Sequence, residues 1–115
     1  DAFWARLRDL ALPFFDDPRP LWRVSVPCAA PLDAWPGAQL ADWGGAQRWL
    51  KSDAAPADVQ RLAAQWGGHA TCFTPGTTHE PFQPLPSALM RVHRQLKTQL
   101  DPHAIFNPGR LYADL

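Results

Sequence analysis

Apolar and polar positions alternate most regularly from Leu21 to Pro27, where Trp22, Val24 and Val26 fall on one side and Arg23 and Ser25 on the other. Successive strand side chains point to opposite faces, so this run predicts a strand buried on one face. A longer period governs Ala2 to Ala11: Phe3, Leu7, Leu10 and Ala11 share one helical face and the run stops before Pro13, which predicts a short amphipathic helix. Pro13 to Pro20, with two aspartates and three prolines, is its exit loop. Ala29 to Trp35 is compatible with a short helix ended by Pro36-Gly37.

Gly44-Gly45 separates two strand-like runs, Gln39 to Trp43 and Ala46 to Lys51, and predicts a hairpin with a two-residue loop, because tight primed turns need positive φ. Trp43 then pairs with Ala46, Ala41 with Arg48 and Leu40 with Trp49. Pro56 to Trp66 carries Val59, Leu62, Ala63 and Trp66 at helical spacing and closes on Gly67-Gly68. His69 to Thr74 is a fourth short strand, and a loop from Pro75 to Pro84 leads into a helix from Pro86 to Leu100. That last helix should turn Leu89, Val92, Leu96 and Leu100 inward and Arg91, Arg94 and Lys97 outward.

The order strand, helix, strand, strand, helix, strand predicts an α+β fold of the ferredoxin-like, split βαβ kind. Its four-stranded antiparallel sheet would carry the helices on one face and leave the other uncovered, followed by the C-terminal helix and an irregular tail.

Composition narrows the classes of function. The 115 residues suffice for one folded domain, 46% of them are hydrophobic, and six are tryptophan. Net charge is zero with acids and bases interspersed, which argues against nucleic acid as a partner. No apolar run is long enough to span a membrane and no signal pattern opens the chain, so a soluble, unsecreted protein is expected. In that setting Cys28 and Cys72 are expected to be reduced, small buried side chains.

Several chemistries find no support. His69 and Cys72 are three apart on a strand and point to opposite faces, and neither His79 nor His93 has a partner at helical spacing, so no metal site is expected. There is no Gly-x-Ser-x-Gly elbow, and neither cysteine sits at a clear helix start beside a base. Both glycine pairs are accounted for by a turn or a helix stop, and no glycine-rich loop runs from a strand into a helix to hold a diphosphate.

The tail Asp101-Pro-His-Ala-Ile-Phe-Asn-Pro-Gly-Arg-Leu-Tyr112 packs two prolines, a glycine and an asparagine into nine residues, which dictates a fixed, irregular path. This run resembles the C-terminal signature Asp-Pro-x-Gly-Ile-Phe-Asn-Pro-Gly-Arg of FAD-linked oxidases of the vanillyl-alcohol oxidase type, with Ala104 where the pattern has glycine. Within that superfamily, Leu-Trp-Arg-Val-Ser-Val-Pro from Leu21 and Trp-Gly-Gly-Ala-Gln-Arg-Trp-Leu-Lys-Ser from Trp43 resemble the FAD-binding subunits of bacterial glycolate oxidases.

The resemblance implies that residues 1–20 are a lead-in helix and linker from an upstream FAD-binding domain and that residues 21–115 are the C-terminal cap domain. It implies FAD as cofactor, held mainly by the upstream domain, with Asn107 and Gly109 beside the flavin pocket and Arg110 anchoring the tail. It further implies oxidation of a small 2-hydroxy acid, glycolate to glyoxylate, in a complex with a related flavin subunit and an iron–sulfur subunit. The location would be the cytoplasm, with the complex bringing the subunit to the inner face of the membrane.

If Leu40 and Trp49 lie under the helices with Trp22 and Val24, then Arg23, Arg48 and Trp43 share the open face. Two guanidinium groups beside an aromatic ring would clamp the acid's carboxylate. The alternative for these residues is a solvated sheet surface paired with Asp42 and Asp33. No catalytic base is identifiable; His69 is the best candidate. The rival for the whole chain is a stand-alone ferredoxin-like binding or oligomerisation module, whose open face would pair with a second copy in a homodimer.

Overall fold

The computed structural model describes residues 2–115. Four strands, β1 (Leu21–Ser25), β2 (Ala38–Asp42), β3 (Gln47–Lys51) and β4 (His69–Cys72), form one antiparallel sheet in the order β2-β3-β1-β4. Helix α1 (Ala2–Arg8) precedes the sheet, α2 (Pro56–Gln65) joins β3 to β4, and α3 (Ser87–Leu100) follows it. This is an α+β arrangement with the strand order of the ferredoxin-like fold.

The alternation in β1 sets the inner face. Trp22 pairs with Leu50 and Cys72, and Val24 with Arg48 and Ala70, so these side chains point one way. Val59 and Ala63 of α2 close over them, and the buried core adds Val26, Ala30 and Trp35. Gly68 lets α2 return tightly to the sheet: a Cβ there would stand 2.0 Å from the Ser25 carbonyl oxygen.

The first connection departs from expectation. Residues 28–37 are turns and bends rather than a short helix. Pro31 cannot donate to a helical ladder, and the carbonyls of Ala30 and Pro31 are taken by the Arg48 guanidinium. Ala30 and Trp35 nevertheless fill the inner face where that helix would have packed.

The hairpin has the expected register, with Ala41 opposite Arg48 and Leu40 opposite Trp49, but its loop is longer. Pairing ends at Asp42 and Gln47, and Trp43–Gly45 form one 3-10 turn in which Trp43, Gly44 and Gly45 all have positive φ. The Ala46 amide donates to the Trp43 carbonyl, which closes a four-residue loop.

The chain falls into two compact units, residues up to Pro81 and Phe82–Leu115. In the first, the segment before β1 packs against the outer sheet face: Phe15 meets Trp49 edge-on at 5.7 Å, and the Lys51 Nζ donates to the carbonyls of Asp17 (2.8 Å) and Arg19 (3.2 Å). The outer face is therefore partly covered, where an uncovered face was expected. In the second unit the apolar row of α3, Leu89, Val92, Leu96 and Leu100, is exposed, where an inward-facing row was expected.

Candidate functional site

The sheet register decides which candidate side chains can meet. Arg23 lies opposite Trp49 and Thr71, whereas Arg48 lies opposite Val24 and Ala41. Arg23 and Arg48 therefore point to opposite faces, and the expected two-arginine clamp does not form. The expectation had placed Trp49 under the helices; the register instead sets it beside Arg23 on the outer face, with Leu40.

Arg48 is 1% exposed, and its guanidinium donates to the carbonyls of Gly45 (3.1 Å), Pro31 (2.7 Å) and Ala30 (2.5 Å). A charged group can be buried when its donors are satisfied, and here they knit the hairpin loop to the β1–β2 connection. Its Cζ also stands 5.9 Å from the centre of the Trp35 ring.

Arg23 is exposed, and its guanidinium lies 5.5 Å from the centre of the Phe73 ring. Phe73 in turn meets Trp49 edge-on at 5.4 Å. The outer face around Arg23 is thus aromatic, a surface that holds a planar cation in place while leaving its N–H groups toward solvent. His69 pairs with Ser25 and points to the same outer face as Arg23, at the β4 edge. Cys72 faces inward, so these two share no ligand position, and among the described residues no three His, Cys, Asp or Glu side chains form a metal-binding group.

Trp43 is 75% exposed with φ of 50°, a backbone region that a bulky side chain rarely adopts. Its amide donates to the Asp42 carboxylate at 2.8 Å, and the two following glycines continue the left-handed path. It lines an open cleft of about 740 Å³ together with Trp4, Arg8, Asp42, Gln47 and Trp49. The sequence did not point to Trp4, because it lies off the apolar face that Phe3, Leu7 and Leu10 define on that short helix.

The tail is fixed within the second unit. Asp101 is 7% exposed and its carboxylate accepts from the Lys97 Nζ (2.6 Å) and the amides of Ile105 and Phe106 (2.9 Å each). The hydrogen bond from Lys97, followed by those two amides, holds its pKa down at about 2. Further on, Arg94 pairs with Asp114, and the Tyr112 hydroxyl donates to the Gln83 carbonyl at 2.7 Å. Ala104 has φ of 51°, the left-handed angle that glycine would favour, and Asn107 has φ of 48°.

Asn107 and Arg110 are exposed. The Gly109 amide is already engaged by the Leu115 carbonyl at 2.6 Å, so this glycine contributes its φ of 67° rather than a donor. Of the two cysteines, Cys72 is buried and Cys28 is exposed, the latter against expectation, and both are unpaired.

The first unit is an α+β sheet with an arginine beside aromatic rings on its outer face, and the second holds a helix followed by a hydrogen-bonded tail with an Asn-Pro-Gly turn. Along 113 residues the chain is 54% identical to glycolate oxidase subunit GlcE of Escherichia coli (strain K12), a match that covers 98% of this chain and 32% of that protein, within its C-terminal part. No protein-family model matches the chain. No solved structure matches it either.

Proposed function

We propose that the chain is the C-terminal cap domain of a flavin-dependent 2-hydroxy-acid oxidoreductase subunit that oxidises glycolate to glyoxylate. The observation that carries this is the 54% identity to a glycolate oxidase subunit over 98% of the chain. The parent protein's FAD would accept a hydride from the α-carbon of the acid. Its diphosphate is assigned to a domain outside this chain, since no glycine-rich loop here could hold it.

The residues at hand suit the remaining tasks. The exposed Asn107 side chain and the Arg110 guanidinium offer donors to a flavin edge, while Gly109 shapes the turn that presents them. On the outer sheet face Arg23 binds the carboxylate of the acid, with Trp43 walling the neighbouring cleft. Arg48 has its guanidinium committed to three carbonyls and serves this site by holding the hairpin that carries Trp43. His69 shares the outer face with Arg23 and is the candidate to hold the proton released from the hydroxyl.

In the cytoplasm the subunit would work beside a related flavin subunit and an iron–sulfur subunit. The apolar row Leu89, Val92, Leu96 and Leu100 is one exposed surface suited to such contacts. The test is flavin content and glycolate-dependent dye reduction by the full-length parent, purified with its neighbours, before and after deletion of residues 107–115. Flavin and activity lost on deletion support the proposal; a flavin-free, inactive parent accompanied by a stable dimer of this chain would favour a binding module instead.

A further inference from the structure

The tail could not hold its path by packing alone, because Ile105 and Phe106 are exposed and two residues, Ala104 and Asn107, sit at left-handed φ without the freedom of glycine. At residues 105 and 106 one carboxylate fixes it. Asp101 ends α3 and receives the amides of Ile105 and Phe106 on its two oxygens, while the Lys97 Nζ bonds both to that carboxylate and to the Phe106 carbonyl (2.5 Å). Both polar groups of the Phe106 backbone are thus tied to side chains from the last turn of α3, one residue before Asn107.

We propose that Asp101 and Lys97 are positioning residues: a clasp that sets the backbone at residues 105–107 and thereby aims the Asn107 side chain at the flavin. The flavin part rests on the tail's role proposed above; the clasp itself does not. Neither side chain touches the reacting atoms, and their effect passes through Phe106. Charge-assisted hydrogen bonds to a buried carboxylate are strong, and deleting the carboxylate leaves two amides without an acceptor and the lysine with the Phe106 carbonyl alone.

The experiment uses the full-length parent carrying Asp101→Ala, with Asp101→Asn as the conservative variant. Hydrogen exchange is followed at the Ile105 and Phe106 amides, with the β1–β3 ladder as an internal control for folding, and FAD affinity is titrated in parallel. For Asp101→Ala, protection at both tail amides should fall at least about tenfold and FAD affinity should fall by a similar factor, as expected for losing charge-assisted bonds, while the ladder keeps its protection. Asp101→Asn, which keeps an acceptor oxygen, should restore part of both. Unchanged protection at Ile105 and Phe106 would overturn the clasp; lost protection with unchanged FAD affinity would overturn the positioning role. A wild-type parent that binds no FAD would sink the flavin reading and Asn107's part in it, and the exchange data would still decide the clasp.

Discussion

Two arginines show how little a residue type says about its role until its face is known. Arg48 occupies an inward position in β3 and spends its charge on three carbonyls, whereas Arg23 stands outward beside Phe73. Arg48→Ala should therefore destabilise the fold by about 3 kcal/mol, through carbonyls left without their donor, and raise the Michaelis constant for glycolate less than Arg23→Ala does in whatever protein folds. Chemical denaturation and steady-state kinetics check the two halves. Arg23→Ala should show the opposite pattern, with stability nearly unchanged and the Michaelis constant raised about tenfold, as expected for removing a charge-assisted contact with the substrate. Alternation alone left two face assignments open, and the one chosen from sequence set Trp49 inward; only the register of β1 on β3 settles the matter. Asp101 carries a pH signature. Its pKa of about 2 lies below the ordinary 3.8, so its contribution is complete above about pH 4 and is lost as pH falls toward 2. Protection factors at Ile105 and Phe106 should decline through that window and be flat there in Asp101→Asn. Asp17, held at about 2 chiefly by the Arg19 side chain, titrates in the same range, but it belongs to the other compact unit and should leave those two amides untouched.

At the scale of elements, the strongest signals were those with a local physical cause. The period of β1, the proline at the start of α2 and Gly67-Gly68 after it placed these elements to within a residue or two. The hairpin register was legible for the same reason, but its loop was not, because Trp43 takes a left-handed angle that sequence rules reserve for glycine and asparagine. The helix expected over Ala29 to Trp35 failed where one proline interrupts its ladder and a distant arginine takes two of its carbonyls. A long-range partner of that kind leaves no mark in a local window. Close approach matters at Gly68, where an added Cβ would collide with the Ser25 carbonyl. Gly68→Ala should cost about 1–3 kcal/mol, the usual range for overpacking a tight contact, and thermal unfolding would detect it. A melting temperature equal to that of the unchanged protein would mean that α2 can move away from β1 freely.

For the whole molecule, the ferredoxin-like strand order was legible from the order of elements, and the division at Pro81 was not. Helical periodicity identified the apolar row of α3 but could not say what covers it, and among the described residues the row stays exposed. The tail was the most informative stretch in the sequence, and its clasp explains why: an aspartate and a lysine one turn before it hold the Ile105 and Phe106 backbone immediately ahead of the Asn-Pro-Gly turn. The sheet of the other unit carries one arginine beside aromatic rings on its outer face. The chain matches 32% of the glycolate oxidase subunit it resembles, so the decisive measurement belongs to the full-length parent. The purified parent should be mixed anaerobically with glycolate while the absorbance of its bound flavin is followed. Bleaching of the flavin with formation of one glyoxylate per flavin is the predicted result. A parent that carries flavin but keeps its oxidised spectrum with glycolate would contradict the account.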